Sequence, residues 1–335
     1  MSDGTRPWAA GSATGVGSMP GRDPDETVRV VLGELTGLPF LPELPGRGAP
    51  GDLTGRSAAL LADLPVDLQP SGWRLVDRPG RDAARARDLL ARDLDALEQA
   101  AEAAPPALLK VQAAGPWTLA SLLELTRGGP ALADPGAVRD LTASLAEGLA
   151  LHLAELRRRL PGTTLLLQLD EPSLPAVLAA RIATSSGFAT LRAPQPSLVA
   201  EHLATVLAVA EHTVVHCCAP HAPVGLLRRA GAGALSLDAT LLTPSDDDAI
   251  GEAVAEGAGL LLGCVPSTDA PLVPVADVLR PVRRLWQRLG FPPEQLPATV
   301  VVTPTCGLAG ASEGYAREAL RHCARAAAAL QQEPL

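Results

Sequence analysis

Short apolar runs alternate with longer segments rich in alanine, leucine and arginine along the whole chain. The runs TTLLLQL (163–169), AGLLLGC (258–264) and ATVVVTP (298–304) are almost continuously apolar, as is typical of parallel strands that are covered on both faces. The segment 80–103 instead repeats its apolar residues at the 3.6-residue period of a helix. The pattern therefore predicts an α/β fold with a parallel sheet.

Eight strands are expected from this alternation. They lie near residues 12–18, 37–44, 107–113, 163–169, 213–218, 233–239, 258–264 and 298–304. The helices are expected from about Asp23, over 80–103, 117–125 and 135–160, over most of 173–210, and from about Ser312. Eight strands with helical crossovers predict a single (β/α)8 TIM barrel. A doubly wound open sheet is the alternative, although no Gly-x-Gly-x-x-Gly follows a strand.

A long insertion separates the second strand from the helix at 80–103. It contains a stretch rich in glycine and proline (PGRGAPGDLTGR, 45–56), a short helical run, and the sequence VDLQPSGWRLVD at 66–77. Periodic structure resumes on both sides of it. We therefore interpret the segment as an insertion with a hairpin, and not as a linker between domains.

Charge and composition limit the possible partners. The chain has 335 residues, of which 28 are basic and 37 acidic, giving a net charge of −9. This charge has the wrong sign for a protein that neutralises nucleic-acid phosphates, and 47 % hydrophobic residues exclude a disordered chain. No run of about 18 uncharged apolar residues predicts a membrane span, and no export signal opens the sequence. We expect a cytoplasmic protein with small-molecule partners, and with neither nucleic-acid nor membrane partners.

Polar and metal-binding residues gather where the predicted strands end. The strand ends carry Ser18, Glu43, Gly115, Asp170, His216 with Cys218, Asp238, Cys264 and Cys306. Active sites of TIM barrels lie at the carboxyl ends of the strands. The coincidence therefore predicts a functional site at this rim.

A zinc site is predicted from four of these residues, His216, Cys218, Asp238 and Cys306. Residues i and i+2 of a strand point to the same side, so His216 and Cys218 can reach one point while Cys217 faces the helices. An imidazole, two thiolates and a carboxylate form a zinc-binding set. Zinc with thiolate ligands suits the binding and deprotonation of a substrate thiol, which favours thiol alkylation over hydrolysis. The alternative is that the cysteines only pack in the interior.

The chain resembles the cobalamin-independent methionine synthase family in a series of motifs that follow the family's order. The motifs are GVGSMP (15–20), PE (42–43), SGW (71–73), AGPWT (114–118), QLDEP (168–172), HCC (216–218), SLDA (236–239) and PTCG (304–307). The resemblance is to the C-terminal catalytic barrel of that family. It implies a single barrel over 1–335 without the family's N-terminal barrel.

The resemblance also implies an activity and a ligand set. It implies a methyltransferase whose zinc is bound by His216, Cys218 and Cys306, with Asp238 where the family usually has glutamate. Asp238 is one methylene shorter, so its distance to the metal differs from that of glutamate.

An amino-acid thiol such as homocysteine is the substrate that the resemblance implies. Ser18 would hold it in the turn after Gly17, and Glu43 and Asp170 would pair with its ammonium group. From the residues alone, a helix N-cap remains the alternative for Asp170 and a simple turn role the alternative for Ser18.

The resemblance is incomplete on the side that binds the methyl donor. Leu122 lies near the position where the family has a tryptophan that stacks on folate, and Ala176 occupies the position of a glutamate that contacts the pterin. The loop CVPSTDAP (264–271) lacks the family's proton-donating histidine. The donor is therefore expected to be either methyltetrahydrofolate or a methylated corrinoid protein.

Two other functions stay open at this point. A relative of the uroporphyrinogen decarboxylases, which belong to the same superfamily, would use the barrel without a metal. A non-catalytic barrel would bind zinc or a thiol only. The zinc-binding residues at the rim speak against the first of these alternatives.

The remaining histidines and cysteines are expected to have structural places. His152, His202 and His212 lie in helical or helix-end segments, where we expect them at the surface. Cys264 is expected to pack at the end of its strand.

Overall fold

The centre of the molecule is a curled parallel sheet in which each strand pairs with the next strand along the chain. The structure is a computed structural model that describes residues 6–335. Its strands are β1 (Val66–Gln69) and β2 (Gly72–Leu75), which pair antiparallel in the insertion, and the six strands of the central sheet, β3 (Leu108–Ala114), β4 (Thr164–Asp170), β5 (His212–Cys217), β6 (Ala234–Asp238), β7 (Gly259–Val265) and β8 (Val300–Pro304). These six strands lie within a few residues of their predicted positions, and they confirm the α/β class.

Residues 12–18 and 37–44, expected as the first two strands, form isolated parallel bridges and not strands. Their N–H···O bonds include Thr14 to Val302 (3.0 Å), Glu43 to Gly17 (3.0 Å) and Leu41 to Lys110 (2.9 Å). The two segments thus connect β8 to β3 across the open side of the sheet. Pro39 and Pro42 have no N–H to donate, which prevents a continuous ladder. In the described part of the chain the central sheet therefore has six strands and not eight.

Helices surround the sheet and connect its strands. In the described residues they are α1 (Pro24–Glu34), α2 (Leu53–Ala59), α3 (Arg81–Ala101), α4 (Pro116–Leu122), α5 (Pro135–Arg159), α6 (Leu174–Leu178), α7 (Pro196–Leu207), α8 (Val224–Arg229), α9 (Asp247–Ala255), α10 (Val275–Val278), α11 (Arg280–Leu289), α12 (Leu296–Thr299) and α13 (Glu313–Gln332). The side chains of Asp23, Asp134 and Ser312 accept backbone N–H groups and so cap α1, α5 and α13. Within this range, none of the helices combines the length and the apolar character needed to cross a bilayer.

The segment between α6 and α7 corrects the expectation that 173–210 is mostly helical. Residues 179–195 form a loop with one antiparallel bridge between Ala183 and Thr190. The sequence Ser185-Ser186-Gly187 favours a turn, and Pro194 disfavours a helical conformation at the residue before it. The loop lies after β4, on the side of the sheet where the site is expected.

The inside of the curled sheet changes from apolar to polar along the strands. Its base is a buried apolar cluster formed by Trp8, Leu38, Leu108, Leu166, Val214, Ala234, Leu261 and Val301. Two residues further along five of the strands come the buried polar residues Lys110, Gln168, His216, Ser236 and Thr303. Because residues i and i+2 share a face, the interior becomes polar toward the carboxyl ends of the strands.

Two glycines of the GVGS motif make room inside the sheet. A Cβ added at Gly15 would lie 2.3 Å from the ring of Phe40, and one added at Gly17 would lie 2.9 Å from the side chain of Gln112. Interiors are packed too closely to tolerate such contacts. Glycine at these two positions lets Phe40 and Gln112 fill the interior.

The insertion over 45–80 packs against the barrel. Its Ser57 Oγ accepts a hydrogen bond from the backbone N–H at the end of β3 (2.8 Å). Arg47 forms a two-pronged ion pair with Asp93 of α3, at 2.7 and 2.8 Å, and Arg56 binds the same carboxylate. All three of these charged groups are buried, so the insertion is an integral part of the domain.

Glu171, directly after β4, caps a helix that has no cap of its own. Its carboxylate accepts the backbone N–H groups of Trp117 (2.9 Å) and Thr118 (2.8 Å) and the Thr118 hydroxyl (2.7 Å). These N–H groups open α4, where they have no partner within the helix. A Cβ at Gly115 would lie 2.3 Å from this carboxylate. The DEP and GPWT motifs are thus two sides of one contact.

We predict that Glu171→Ala lowers the free energy of unfolding by about 3 kcal/mol, because it leaves buried donors without an acceptor. Glu171→Gln keeps one acceptor oxygen and should lose less. Denaturant unfolding of the three proteins measures the difference. A loss below about 0.5 kcal/mol in the alanine variant, the usual range for a surface substitution, would contradict the capping role.

His152 and His202 are buried, which shows that the expectation of surface positions was wrong for them. His152 lies on α5 and is 9 % exposed. Burial, together with the nearby Arg56, lowers the pKa of His152 to about 3. The folded protein therefore keeps this imidazole neutral at pH values where the unfolded chain takes up a proton.

This difference predicts how stability depends on pH. Below about pH 6.5 the unfolded chain binds a proton at His152 that the folded protein does not bind. As far as His152 is concerned, the free energy of unfolding therefore has its full value above that pH. It falls as the pH drops toward 3, by up to about 1.4 kcal/mol per pH unit. Urea unfolding at several pH values should give a flatter profile for His152→Gln. Equal slopes for the two proteins would disprove the assignment.

Candidate metal and amino-acid site

Three predicted ligands converge at the carboxyl ends of the strands. His216 lies near the end of β5, Cys218 directly follows that strand, and Cys306 follows β8. One ligand atom from each residue lies within 4.8 Å of the other two, and the two sulfur atoms are 3.0 Å apart. The structure thus brings together residues that are 88 positions apart in the sequence.

The two thiols of this cluster differ in acidity. The pKa of Cys306 is lowered to about 4 by the neighbouring Cys218 thiol, with a further contribution from His216. The same contact with Cys306, together with burial, raises the pKa of Cys218. One of the two sulfurs is therefore ready to act as a thiolate, which is the form that binds metals.

The ring of His216 is oriented by Ser236, a residue that the sequence analysis did not single out. A hydrogen bond of 2.8 Å joins His216 Nδ1 to Ser236 Oγ. The signal was present in the SLDA motif, because the parallel register places Ser236 directly beside His216. Among the described residues, no hydrogen-bond partner reaches the buried Nε2 atom. This nitrogen is left available for a metal, as in zinc sites whose histidine is held by a hydrogen bond at its other nitrogen.

Asp238, the fourth predicted ligand, is not part of this cluster in the described structure. Its Oδ1 atom accepts hydrogen bonds from the backbone N–H (2.8 Å) and the hydroxyl (2.6 Å) of Thr240. The aspartate thereby closes a local turn after β6, a common role for a short acidic side chain. The structure therefore brings three of the four predicted ligands together and leaves Asp238 outside them.

Cys217 and Cys264 lie outside the cluster and are buried. Burial raises the pKa of each thiol to about 12. Both are free cysteines, and neither is ready to act as a thiolate. Their places agree with packing roles.

Ser18 lies beside both Glu43 and the cluster formed by His216, Cys218 and Cys306. It forms a parallel bridge with Glu43, and its carbonyl accepts the N–H of Leu308 (2.8 Å). A Cβ at Gly307 would lie 2.1 Å from Ser18 Oγ. The glycine after Cys306 therefore leaves room for the serine hydroxyl.

Glu43 and Asp170 are both buried. Asp170 ends β4 and lies beside His216 in the register of the sheet. Gln168 Nε2 donates to Asp170 Oδ1 (2.7 Å), and Gln112 Nε2 donates to Glu43 Oε1 (3.3 Å).

Each of these carboxylates has a perturbed acidity. Burial raises the pKa of Glu43 to about 7 and that of Asp170 to about 6. Arg56 opposes this rise at Glu43, and His216 opposes it at Asp170. Two buried carboxylates near each other in the interior form a binding place for a cation.

The positions expected to contact a methyl donor lie in two different surroundings. Leu122 ends α4 and is 44 % exposed, and Ala176 is half-buried in α6. In the loop after β7, Asp269 accepts hydrogen bonds from the backbone and hydroxyl of Ser312. This loop is tied to the start of α13 and carries no imidazole.

The residues of the cluster fit a zinc ion. Two sulfur ligands and one imidazole are among the common donor sets of zinc, with a fourth position left for water or substrate. The buried Nε2 atom without a partner and the low pKa of Cys306 are the properties that metal ligands require.

Comparisons with known proteins place the chain. The family described as cobalamin-independent synthase, catalytic domain, matches residues 12–329. The structure is similar to that of a B12-independent methionine synthase from Shewanella sp. W3-18-1 in complex with selenomethionine, with a TM-score of 0.63 at 12 % sequence identity over 97 % of this chain and 99 % of that chain. A 2,3-dimethylmalate lyase of the PEP mutase/isocitrate lyase superfamily gives a TM-score of 0.39 at 13 % identity, over 96 % and 84 % of the two chains. No curated protein sequence matches the chain.

The family match covers almost the whole chain, including all the motifs on which the resemblance rests. The structural likeness to the Shewanella enzyme independently supports the same fold. The chain therefore belongs to the catalytic-domain family of the cobalamin-independent methionine synthases, which are methyltransferases.

Proposed function

We propose that the protein is a zinc-dependent S-methyltransferase that methylates homocysteine or a similar amino-acid thiol. The observation that carries the proposal is the convergence of His216, Cys218 and Cys306 beside two buried carboxylates. One part of the rim suits a thiol and the adjoining part suits an ammonium group. An amino acid with a thiol on its side chain offers both.

In this proposal His216, Cys218 and Cys306 hold the metal, and Ser236 keeps the imidazole in its orientation. When bound, zinc would keep the substrate sulfur deprotonated near neutral pH, below its ordinary pKa of about 8.5. The new bond joins this sulfur to the methyl carbon, and the bond from that carbon to the donor breaks. Holding the two reactants in line supplies much of the acceleration in such transfers.

Three residues bind the amino-acid end of the thiol in this proposal. Glu43 and Asp170 pair with its ammonium group, since each carboxylate has one oxygen held by a glutamine and another to offer. Ser18 and the turn around it receive the carboxylate. The Shewanella enzyme was solved with selenomethionine bound, which supports an amino acid as the ligand here.

The methyl donor in this proposal is methyltetrahydrofolate or a methylated corrinoid protein. The half-exposed Leu122 provides no aromatic face on which a pterin would stack. Ala176 supplies no carboxylate, and the loop after β7 supplies no imidazole. These substitutions keep the corrinoid alternative open beside the folate.

We further propose that the protein acts in the cytoplasm. All five cysteines are free, and Cys218 and Cys306 must stay reduced in order to bind a metal. A reducing compartment meets that requirement.

We predict that the purified protein contains about one zinc ion per chain and that Cys218→Ala and Cys306→Ala lose it, because a two-ligand site binds zinc weakly. Cys217→Ala is the matched control, since this neighbouring thiol lies outside the cluster. Ser236→Ala should weaken zinc binding by about 10-fold or more by releasing the imidazole. Elemental analysis and competition with a chelator measure these effects.

Asp238→Asn tests the fourth predicted ligand in the same assay and should keep its zinc, because Asp238 lies outside the cluster. A wild-type protein without zinc after reconstitution, or zinc retained by both Cys218→Ala and Cys306→Ala, would contradict the proposed site.

Transfer of a deuterated methyl group to homocysteine, followed by mass spectrometry, tests the reaction itself. We expect labelled methionine with methyltetrahydrofolate or with a methylated corrinoid carrier, each supplied separately. Cys306→Ala should reduce the rate at least about 100-fold, because it removes the metal that activates the thiol. If neither donor gives product with zinc-loaded protein, the non-catalytic alternative applies, and decarboxylation of a porphyrinogen would support the metal-free alternative.

A further inference from the structure

Lys110 is the only lysine of the chain, and it is completely buried. It lies on β3 with its side chain inside the barrel, two residues after Leu108 of the apolar base. Burying an ammonium group is costly unless the group is compensated. Because burial of the only lysine costs free energy, we expect this residue to serve a function.

The contacts of Lys110 show no direct ion pair. Its Nζ atom donates to the carbonyl of Val16 (2.7 Å) and to Gln112 Oε1 (3.1 Å), and it lies 5.4 Å from the centre of the Phe40 ring. Among the described residues, no carboxylate forms an ion pair with Nζ. The charge of Lys110 therefore reaches the nearby carboxylates over a longer distance or through another group.

Gln112 is that group for Glu43. Because Lys110 donates to Oε1 of the amide, the Nε2 atom faces the other way, and it donates to the carbonyl of Leu41 (2.7 Å) and to Glu43 Oε1 (3.3 Å). With the amide turned over, its oxygen would face two other acceptors. The lysine therefore fixes the orientation of Gln112, and Gln112 fixes one oxygen of Glu43.

The same oxygen of Glu43 also faces Arg56, whose Nε lies 3.9 Å away. None of the hydrogen bonds among residues 6–335 goes to the other oxygen, Oε2. Asp170 is held in a similar way, since Gln168 Nε2 donates to its Oδ1 and to the carbonyl of Val16. The Val16 carbonyl thus accepts hydrogen bonds from both Lys110 and Gln168. It connects the groups that hold Glu43 with the group that holds Asp170.

We propose that Lys110 is a positioning residue that makes the site selective for thiols carrying an ammonium group. Through Gln112 it holds Oε1 of Glu43 and leaves Oε2 free for the substrate, and its positive charge adds to that of Arg56 beside the carboxylate. This inference rests on the proposed function, and it identifies the ammonium group as the part of the substrate that Glu43 and Asp170 recognise.

The acidities of the groups agree with this arrangement. Burial lowers the pKa of Lys110 to about 8, against the charges of Asp170 and Glu43, which raise it. Burial raises the pKa of Glu43 to about 7, against the positive charges of Arg56 and Lys110. Lys110 and Glu43 thus each favour the charged form of the other, against the effect of burial on both.

A single lysine permits a direct test, because protein labelled with ¹³C- and ¹⁵N-lysine shows one side-chain ammonium signal. We expect Glu43→Gln to lower the pKa read from this signal by about one unit, since it removes a nearby negative charge. Glu34→Gln, which changes an ion pair on the outer helix α1, is the matched control and should leave the signal in place. A shift below about 0.2 unit in Glu43→Gln would overturn the coupling.

Selectivity is tested with homocysteine and its analogue without the amino group, 4-sulfanylbutanoate. Lys110→Met should lower the ratio of their kcat/KM values about tenfold, through a higher KM for homocysteine, and should leave the KM for the analogue nearly unchanged. A general loss of structure would affect both substrates alike. Gln112→Leu interrupts the relay while keeping the lysine, and it should lower the ratio in the same direction if Lys110→Met fails to fold. An unchanged ratio in either folded variant would overturn the proposal.

Binding separates this proposal from the methyl-transfer proposal. Calorimetry with methionine and with 4-(methylsulfanyl)butanoate measures the same selectivity without any reaction. A preference for methionine that Lys110→Met or Gln112→Leu abolishes supports the inference even when no methyl transfer is found. Methyl transfer with unchanged selectivity in these variants leaves the function intact and disproves the role of Lys110.

Discussion

A parallel sheet that curls back on itself imposes one constraint on everything inside it. Every second side chain points into an enclosed space, so that space must be filled and its polar groups must find partners. In this protein the apolar side chains occupy the base of the enclosure, and the polar side chains follow two residues later. The position of the site is a consequence of that order, since the alternation carries the polar face to the carboxyl ends of the strands.

Polar side chains inside such an enclosure stabilise the site only as a connected set. The Val16 carbonyl accepts from both Lys110 and Gln168, and it lies in a segment that is joined to its neighbours by isolated bridges. Removing one partner would leave another buried group unsatisfied, which costs more than the hydrogen bond itself contributes. The irregular segments 12–18 and 37–44 therefore serve the site. The carbonyls of Val16 and Leu41 accept hydrogen bonds from side chains, whereas a regular strand would use such groups in backbone hydrogen bonds.

Much of this arrangement was predictable from the sequence, and the rest has identifiable causes. The strands from β3 to β8 were predictable because long apolar runs have few other places in a protein, and His216 with Cys218 followed from the two-residue period. The turn role of Asp238 was not predictable, because whether a short carboxylate binds a metal or its own backbone depends on where the next residues lead the chain. The insertion hid another feature: a sequence alone does not show that Arg56 reaches Glu43.

The metal half and the amino-acid half of the proposed site share one strand boundary. Asp170 lies beside His216 in the sheet, and Glu171, the next residue, turns away to cap α4. Two consecutive carboxylates therefore point in opposite directions, one toward His216 inside the barrel and one toward the helix layer. Because the cap holds α4 at the end of β3, the backbone that carries Asp170 is anchored from outside the barrel. The DEP motif thus joins the stability of the fold to the geometry of the proposed site, and a substitution at Glu171 would disturb the position of Asp170, its neighbour.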